Sequence, residues 1–252
     1  MARARVGLAV TTRTNLSPEH LNSINRLTLV ARLLSSAVHD TRNALQIITG
    51  HAELLAEAPS NPEKAQERSR AIVMQADRAT RRMHGLVLMT ADTEEVPQRL
   101  DLRALAEDVV ALRRSSFGRA RVKVVVEPSS GEFWVRARRS DLLRVAANLM
   151  LNAERAVSGR PAAQVTFRVS QSGDRVRLAV RDNGPGVAPD RVPFLFEPFA
   201  PGPGPGLGLH VSRWLMERAG GRLELTGNSS GAEFSLELPG DAGARIDQSG
   251  NR

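Results

Sequence analysis

The chain has 252 residues, enough for two modest domains or one large one, and its 41% hydrophobic and 25% charged residues are typical of a folded globular protein. It contains no cysteine, which excludes disulfides and thiol chemistry. The net charge of +8 suits many acidic partners, but basic residues are scattered, aromatics make up 4%, and no zinc spacing or stacking motif is present. These observations argue against a nucleic-acid partner.

The N-terminal residues do not predict a secretion signal or a membrane anchor. The apolar run from Val6 to Val10 is short and is followed by polar residues. No stretch approaches the run of about 18 apolar residues that spans a bilayer. We therefore expect no membrane insertion and a cytoplasmic location, with residues 1–16 forming a flexible arm.

A long helix is predicted after this arm. Ser17 is a typical N-cap, and Pro18 and Glu19 suit the first helical turn. Apolar and small residues then recur at alternating three- and four-residue steps, which predicts one narrow buried face. This seam consists of Leu27, Val30, Leu34, Ala37, Thr41, Ala44, Ile48, His51 and Leu55.

A second helix is predicted to run back along the first. Residues 59–62, PSNP, break the first helix, and Asn61 can cap a helix that begins at Pro62. The same steps continue through Ala65, Ser69, Ile72, Ala76, Ala79, Met83 and Leu86. Because two antiparallel helices bury too little area to be stable alone, we expect a homodimer built on a four-helix bundle.

A change of composition divides the chain. The charged residues 93–100, interrupted by Pro97, predict a linker between the hairpin of residues 17–92 and a second domain of residues 101–239. The small, polar residues 240–252 predict a flexible tail.

Periodicity predicts a mixed α/β layer structure in the second domain. Helices are expected from Asp101 to Ser115, from Ser140 to Val157 and from near Leu207. Short β-branched or alternating runs predict strands. These runs are VKVVVE, EFWVRA, QVTFRVS, RVRLAVRD, RLELTG and AEFSLELP.

The segment NLMLNAERAV carries the first candidate ligand-binding residues. Asn148 and Asn152 lie four residues apart and share a helix face, and Arg155 falls on the same side. Amide oxygens can bind a Mg²⁺ ion held mainly by water and phosphate, and arginine can reach a phosphate. Paired amides are also common as caps or solvated positions, so both interpretations stay open here.

The segment RDNGPGV directly follows the strand RVRLAV. It puts Asp182 at the strand end, and Gly184 and Gly186 permit close approach of the backbone to a ligand. A carboxylate at this place can accept a hydrogen bond from the exocyclic amine of adenine. Asp-Asn-Gly is also typical of a β-turn, which remains the alternative.

A glycine-rich run precedes the last predicted helix. Gly202, Gly204, Gly206 and Gly208 come directly before an amphipathic segment, so backbone N–H groups and the helix N-terminus can hold phosphate. A Pro/Gly linker is the alternative. Apolar helical character resumes at Leu207 without a spacer, which disfavours the linker.

In this order, NLMLNA, DNGPG, FLFEPF and GPGLGL resemble the Asn, first-glycine, phenylalanine and second-glycine boxes of the histidine-kinase and GHKL ATPase superfamily. The resemblance covers about residues 97–239 and implies a Bergerat-type α/β sandwich that binds ATP and Mg²⁺. Asp182 is then expected on adenine, and Asn152 on the metal. The implied nucleotide-binding residues are Asn148, Asn152, Arg155, Asp182, Gly184, Gly186, Gly204, Gly206 and Gly208.

Because GHKL proteins also include chaperones, gyrases and mismatch-repair ATPases, the hairpin has to identify the reaction. There, AVHDTRNALQIITGHAELL resembles the phospho-acceptor box of histidine kinases, with His39 at the motif's histidine. His39 lies off the seam, so its exposed imidazole can act as a nucleophile toward the γ-phosphate of ATP. Asp40 beside it can orient the ring or take its proton.

Asn43 is the third candidate catalytic residue, because it lies one turn after His39 and faces the same way. In the family, an amide or hydroxyl residue at this place aligns water for dephosphorylation of the partner. The alternative is that His39 is an ordinary histidine on a solvated helix face. His51, on the seam, is expected to be structural.

The resemblance implies a histidine kinase of a two-component system that phosphorylates His39 and passes the phosphate to an aspartate of a response-regulator receiver domain. Residues 200–205, APGPGP, form a short uncharged lid where the family has a longer lid with Lys or Arg. Since electrostatic stabilisation dominates phosphoryl transfer, a degenerate scaffold or phosphotransfer protein with little kinase activity is the alternative. A GHKL ATPase acting on nucleic acid or a client protein is disfavoured, because no transducer domain is recognisable.

Overall fold

The computed structural model of the chain describes residues 16–57, 61–90, 95–201 and 205–241. An antiparallel hairpin of two helices, α1 (Pro18–Glu57) and α2 (Pro62–Thr90), leads into a mixed α/β domain. None of the helices in these ranges is long and apolar enough to cross a membrane. The predicted arm before Leu16 and the predicted tail after Asp241 lie outside the described residues.

Both helices of the hairpin begin where their caps predict. The hydroxyl of Ser17 accepts a hydrogen bond from the backbone N–H of His20, with a distance of 3.4 Å. The side-chain oxygen of Asn61 accepts from the N–H of Lys64 at 3.1 Å. Each bond satisfies an N–H group in the first helical turn that has no partner within its own helix.

The α/β domain contains the helices α3 (Leu102–Arg119), α4 (Arg139–Val157) and α5 (Gly208–Arg218), and a 3₁₀ helix (Pro189–Phe194). Its strands are β1 (Gln98–Asp101), β2 (Lys123–Val126), β3 (Trp134–Ala137), β4 (Gln164–Ser172), β5 (Arg175–Asp182), β6 (Arg222–Gly227) and β7 (Glu233–Pro239). The predicted architecture, a helical hairpin followed by an α/β layer structure, is confirmed.

A five-stranded sheet forms one layer of this domain, in the order β2-β4-β5-β7-β6. β2 and β4 are parallel, and the other neighbours are antiparallel. Val176, Leu178 and Val180 of the central strand β5 are buried, and α3 and α4 pack against this strand. Pairing with β4 and β7 fixes the end of β5, where Asp182 lies.

The predicted linker is partly wrong, because residues 98–100 belong to β1, which pairs antiparallel with β3 in a second, two-stranded sheet. Glu95 is also fixed in place. Its carboxylate accepts hydrogen bonds from the backbone N–H groups of Arg139 at 3.1 Å and Ser140 at 2.9 Å, at the start of α4. These bonds tie the described end of the linker to the α/β domain.

The boundaries of the arm and tail also need correction. Leu16, placed in the flexible arm, packs against the hydrophobic core. Gly240 and Asp241, placed in the flexible tail, donate backbone hydrogen bonds to the carbonyl groups of Asp174 and Trp134, each at 2.7 Å. The α/β domain therefore extends to residue 241.

The predicted seam of α1 is only partly buried within one chain. Leu27 is 69% exposed and Leu34 is 47% exposed, although Ala37 and Ala44 are buried as predicted. The buried residues of α1 are Leu21, Asn25, Leu29, Leu33, Ser36, Ala37, Asp40 and Ala44. The reason is that α1 packs not only against α2 but also against α3 and α4 of the α/β domain.

Contacts between α1 and the α/β domain are apolar and polar. Leu29 and Leu33 belong to one hydrophobic core that continues through the α/β domain. At its edge, the hydroxyl groups of Ser36 and Ser116 are hydrogen-bonded at 2.8 Å in a buried position. The guanidinium of Arg113 on α3 donates to the backbone carbonyl of Arg32 at 3.3 Å. The hairpin is therefore docked on the domain rather than separated from it by a free hinge.

Candidate functional site

A cavity of about 390 Å³ lies between α4, the loop after β5, the start of α5 and helix α1 of the hairpin. Its lining includes Asn25, Thr28, Leu29 and Arg32 of α1, Asn148, Asn152 and Arg155 of α4, Asp182 and Gly186 after β5, and Gly206, Gly208 and Leu209 around the start of α5. The structure therefore brings together candidate residues from three separate segments of the sequence. It adds a fourth wall, from α1, that the sequence did not predict.

The two predicted asparagines of α4 have different surroundings. Asn148 is buried, and its side-chain amide donates to the carbonyl of Gly208 at 3.4 Å and to the hydroxyl of Ser212 at 3.1 Å. It therefore holds the start of α5 against α4. Asn152 and Arg155 are half-buried and line the cavity one and two turns later. These two side chains are the ones available to a metal or a phosphate.

Asp182 is the buried carboxylate of the cavity. Its Oδ1 accepts hydrogen bonds from the backbone N–H groups of Gly184 at 2.8 Å and Ala232 at 3.3 Å. Burial raises its pKa, although both N–H groups and the nearby guanidinium groups of Arg160 and Arg181 act in the opposite direction. Both of these hydrogen bonds go to Oδ1, which leaves Oδ2 to accept from a ligand in the cavity.

Two of the predicted glycines are required by close backbone contacts. A Cβ atom on Gly184 would lie 2.7 Å from Oδ1 of Asp182 and 2.9 Å from the carbonyl oxygen of Ala156. Gly206 has a φ of +68°, and a Cβ there would lie 2.5 Å from the carbonyl oxygen of Ala200. A side chain at either position would displace the backbone that shapes the cavity. Gly204 lies outside the described residues.

Two residues of the loop between β6 and β7 support the site and were missed by the sequence analysis. The side-chain amide of Asn228 donates to the carbonyl of Val187 at 2.7 Å, and its oxygen accepts from the N–H of Val187 at 2.6 Å. Gly231 packs so closely that a Cβ would lie 1.9 Å from the carbonyl oxygen of Asp182. The only signal in the sequence was the turn-like run Asn-Ser-Ser-Gly.

His39 lies on α1 outside the cavity, and its side chain is 49% exposed. Its Nδ1 is 3.2 Å from a guanidinium nitrogen of Arg119 on α3 and 3.2 Å from the side-chain amide nitrogen of Asn43. A guanidinium group can only donate, so Nδ1 accepts this bond and the ring proton resides on Nε2. The contact with α3 thus selects the tautomer of His39.

Asp40 lies beneath this group. Its side chain is fully buried, and Oδ1 is 3.6 Å from Nδ1 of His39, too far for a hydrogen bond. Neither carboxylate oxygen has a hydrogen-bond partner within the described ranges. Burial of a carboxylate that has no hydrogen-bond partner costs free energy. A proton on Nδ1 of His39 would place a donor beside this carboxylate.

The three predicted catalytic residues therefore form a second group on α1, separate from the cavity. Arg32 lines the cavity, whereas His39 does not. Because an α-helix rises about 1.5 Å per residue, the two positions are roughly 10 Å apart along α1. The structure brings His39, Asp40 and Asn43 together, but it does not bring them to the cavity.

The cavity fits a nucleotide with a metal held mainly by phosphate. Asp182 offers an acceptor to a purine amine, and glycines at 184 and 206 let the backbone approach a ligand. No group of three His, Cys, Asp or Glu that could hold a metal occurs in the described part of the chain. A Mg²⁺ ion would therefore depend on the amide oxygen of Asn152 together with phosphate and water.

Comparisons with known proteins identify relatives of this chain. Residues 137–242 match the family described as histidine kinase-, DNA gyrase B- and HSP90-like ATPases. The sensor histidine kinase ZraS of Escherichia coli O157:H7 is 27% identical over 89% of the chain. The sensory histidine kinase/phosphatase NtrB of Salmonella typhimurium is 30% identical over 89% of the chain. The chain spans 49% of the length of ZraS and 66% of the length of NtrB.

Solved structures show the same similarity. The full-length protein ShkA, crystallised in complex with AMPPNP, aligns with 89% of this chain with a TM-score of 0.54 and 26% sequence identity. The alignment covers 46% of ShkA. The similarity includes both the hairpin and the α/β domain, because neither one alone makes up that share of the chain.

We expect Asp182→Asn to weaken nucleotide binding roughly five- to hundredfold. An amide nitrogen in place of Oδ2 leaves the amine of adenine without a hydrogen-bond acceptor, which costs about 1–3 kcal/mol. The free energy of unfolding of Asp182→Asn at neutral pH should not be lower than that of the wild type. Since burial raises the pKa of Asp182, its ionised form opposes folding above the pKa of the unfolded chain, and the amide removes that cost. Calorimetry with a non-hydrolysable ATP analogue and thermal melts measure the two effects.

The matched control is Asp190→Asn. Asp190 is an exposed carboxylate that follows in the same part of the chain and does not line the cavity. Its replacement should change neither affinity nor melting temperature. Equal nucleotide affinities for wild type and Asp182→Asn would refute the adenine assignment.

Proposed function

This chain belongs to the sensor histidine kinase family, and from that premise we propose that it transfers the γ-phosphate of ATP to His39. One observation carries the proposal. The exposed imidazole of His39 and one wall of the nucleotide cavity belong to the same helix, α1. The alternative of a scaffold with little kinase activity is not favoured, because the relatives matched over most of the chain are kinases.

Transfer requires the imidazole tautomer that carries its proton on Nδ1. The lone pair of Nε2 then attacks the γ-phosphorus, and the bond to the bridging oxygen breaks so that ADP leaves with the electron pair. The proton on Nδ1 passes to Asp40, whose Oδ1 is already 3.6 Å away. A small rotation of the ring brings the two atoms within hydrogen-bonding distance.

In the arrangement described here, Arg119 opposes this step. Its hydrogen bond to Nδ1 of His39 keeps the ring proton on Nε2, so the lone pair needed for attack is absent. We infer that α3 leaves His39 and that the α/β domain moves along α1 before transfer. Domain movements of this kind commonly precede chemistry and complete the catalytic arrangement.

For the nucleotide, we assign adenine to Asp182 and the metal to Asn152. Asn152 would hold the Mg²⁺ ion that accompanies ATP, and the ion would neutralise phosphate charge when bound. Asn148 contributes indirectly by holding the start of α5. We assign Arg155 and the backbone around Gly206, which line the cavity, to the phosphates. We also propose a cytoplasmic location, where ATP is available.

We further propose that the phosphate passes from His39 to an aspartate of a response-regulator receiver domain, and that Asn43 positions water for removal of phosphate from that receiver. His39 and Asn43 are one turn apart and their side chains are in contact on the accessible side of α1. The relative NtrB is described as both a kinase and a phosphatase, which supports two activities on one helix face.

We expect His39→Gln to abolish incorporation of phosphate from labelled ATP, because glutamine has no nucleophilic ring nitrogen. Nucleotide affinity should stay within about twofold, since His39 does not line the cavity. His84→Gln, an exposed histidine on α2, is the matched control and should retain full incorporation. Normal phosphorylation of the His39 variant would assign the acceptor to another residue and reject the proposed reaction.

We expect Asn43→Ala to spare phosphorylation of His39 but to slow the loss of phosphate from the receiver, because positioning of water affects a rate and not the fold. The contact between Asn43 and His39 is at Nδ1, so Nε2 stays accessible. Asn43→Thr, which keeps a hydrogen-bonding group, should retain part of the activity. The measurement follows phosphorylated receiver over time.

Thr49→Ala is the control for this measurement, because Thr49 is exposed on α1 but points away from Asn43. If Asn43→Ala and wild type remove phosphate equally fast, Asn43 is an ordinary solvated residue. The proposed role of Asn43 in phosphatase activity would then be rejected, whether or not His39 is phosphorylated.

We also propose that the chain forms a homodimer through the hairpin. Leu27, Leu34, Val38 and Leu45 are 69%, 47%, 51% and 56% exposed, and their spacing of seven and four residues puts them on one face of α1. We call this face the exposed stripe. A second copy of the hairpin can cover it and complete a four-helix bundle.

The double substitution Leu34→Glu and Leu45→Glu should convert a dimer to a monomer, since burial of unpaired carboxylates in an apolar interface is costly. The fold should persist, because both side chains are about half exposed in the single chain. Gln46→Glu, an exposed position of the same helix, is the matched control. Sedimentation measures the outcome, and a monomeric wild type would contradict the proposed dimer.

A further inference from the structure

The sequence of the lid offers no cationic side chain to bound phosphates. Residues 200–205, APGPGP, contain no charged side chain. Phosphoryl transfer depends on cationic groups that bind the phosphates and stabilise the charge that develops on them. Arg155 lines the cavity, as does Arg191, which donates to the carbonyl of Pro201 in the lid. The hairpin supplies another guanidinium group.

Arg32 of α1 lines the same cavity as Asp182 and Asn152. Its side chain is half-buried, and among the described residues it forms no ion pair and no side-chain hydrogen bond. A guanidinium group that lines a cavity and whose N–H groups have no protein partner can form charge-assisted hydrogen bonds with an anion. The N–H donors of Arg32 are therefore available to an anionic ligand in the cavity.

The charges around Arg32 favour an anion further. Burial lowers the pKa of Arg32, and so do the neighbouring guanidinium groups of Arg155 and Arg113, while Glu154 acts in the opposite direction. Both carboxylate oxygens of Glu154 are engaged by Arg113, each at 2.8 Å. One carboxylate among three guanidinium groups leaves positive charge uncompensated beside the cavity.

The position of Arg32 is fixed by the same contacts. Arg113 binds Glu154 of α4 and also donates to the backbone carbonyl of Arg32 at 3.3 Å. It thereby links α3, α4 and α1 at one point. This junction lies beside the cavity wall to which Arg32 belongs.

We propose that Arg32 is a phosphate-binding residue of the nucleotide site, supplied by the hairpin where the lid provides no cation. This assignment rests on the proposed binding of ATP. Its ligand is the polyphosphate of a nucleoside triphosphate, bound by charge-assisted hydrogen bonds. Because Arg32 belongs to α1, the triphosphate contacts both the hairpin and the α/β domain and stabilises their docked arrangement.

The test measures the affinity of the full chain for a non-hydrolysable ATP analogue, for ADP and for adenosine by calorimetry. Arg32→Gln should weaken binding of the triphosphate analogue roughly tenfold, because a charge-assisted hydrogen bond at a half-exposed site is lost. Adenosine affinity should stay within about twofold. Arg32→Lys, which keeps the charge, should recover part of the loss. Arg70→Gln, an exposed arginine of α2, is the matched control and should bind like wild type.

The outcomes separate this assignment from the proposed function. If Arg32→Gln binds the triphosphate like wild type while Arg155→Gln or Arg191→Gln does not, Arg32 is not a phosphate-binding residue and ATP binding still stands. Equal losses for adenosine and triphosphate, without recovery in Arg32→Lys, would show a structural role and overturn the assignment. A wild-type chain that binds none of the three ligands would overturn both the proposed ATP site and this assignment.

Discussion

The packing of α1 against α3 and α4 is the contact on which the rest of the site depends. Leu29 and Leu33 are completely buried in a core that they share with the α/β domain. Each such leucine contributes about 1.5–3 kcal/mol relative to an exposed one. The same packing closes one wall of the cavity with α1 and places the end of α3 over His39, so the proposed donor and acceptor sites depend on one interface.

This interface also determines the chemistry of His39. The hydrogen bond from Arg119 fixes the ring proton on Nε2, and Asp40 is left buried without a hydrogen-bond partner among the described residues. The hydrogen bond adds to the interface, whereas the buried carboxylate of Asp40 is unfavourable by itself. Local arrangements that are unfavourable by themselves persist at functional sites when the surrounding structure compensates for them. Release of α3 from His39 would remove the hydrogen bond of Arg119 and permit the tautomer with its proton on Nδ1, which the proposed transfer requires.

The sequence predicted β5 and β6 to the residue, because alternating apolar residues between turn signals permit one register. It did not predict β1, since four residues after Pro97 carry too little periodicity to differ from a linker. Helical steps located α1 but not its buried side, because adjacent faces of one helix share the same spacing. Asn228, Gly231 and Arg32 join the site only through packing of elements that are distant in sequence, so no local pattern could identify them.

The buried face of α1 changes character along its length, and this asymmetry opposes the movement that transfer needs. Its buried residues are Leu21, Asn25, Leu29 and Leu33 toward the N-terminus, and Ser36, Ala37, Asp40 and Ala44 around His39. A shift of the α/β domain by one turn, about 5.4 Å, toward His39 exchanges leucines for small or polar side chains in the contact. The larger apolar contact therefore favours the docked register. A ligand or partner that binds the shifted register more tightly would increase its population by no more than that difference in affinity.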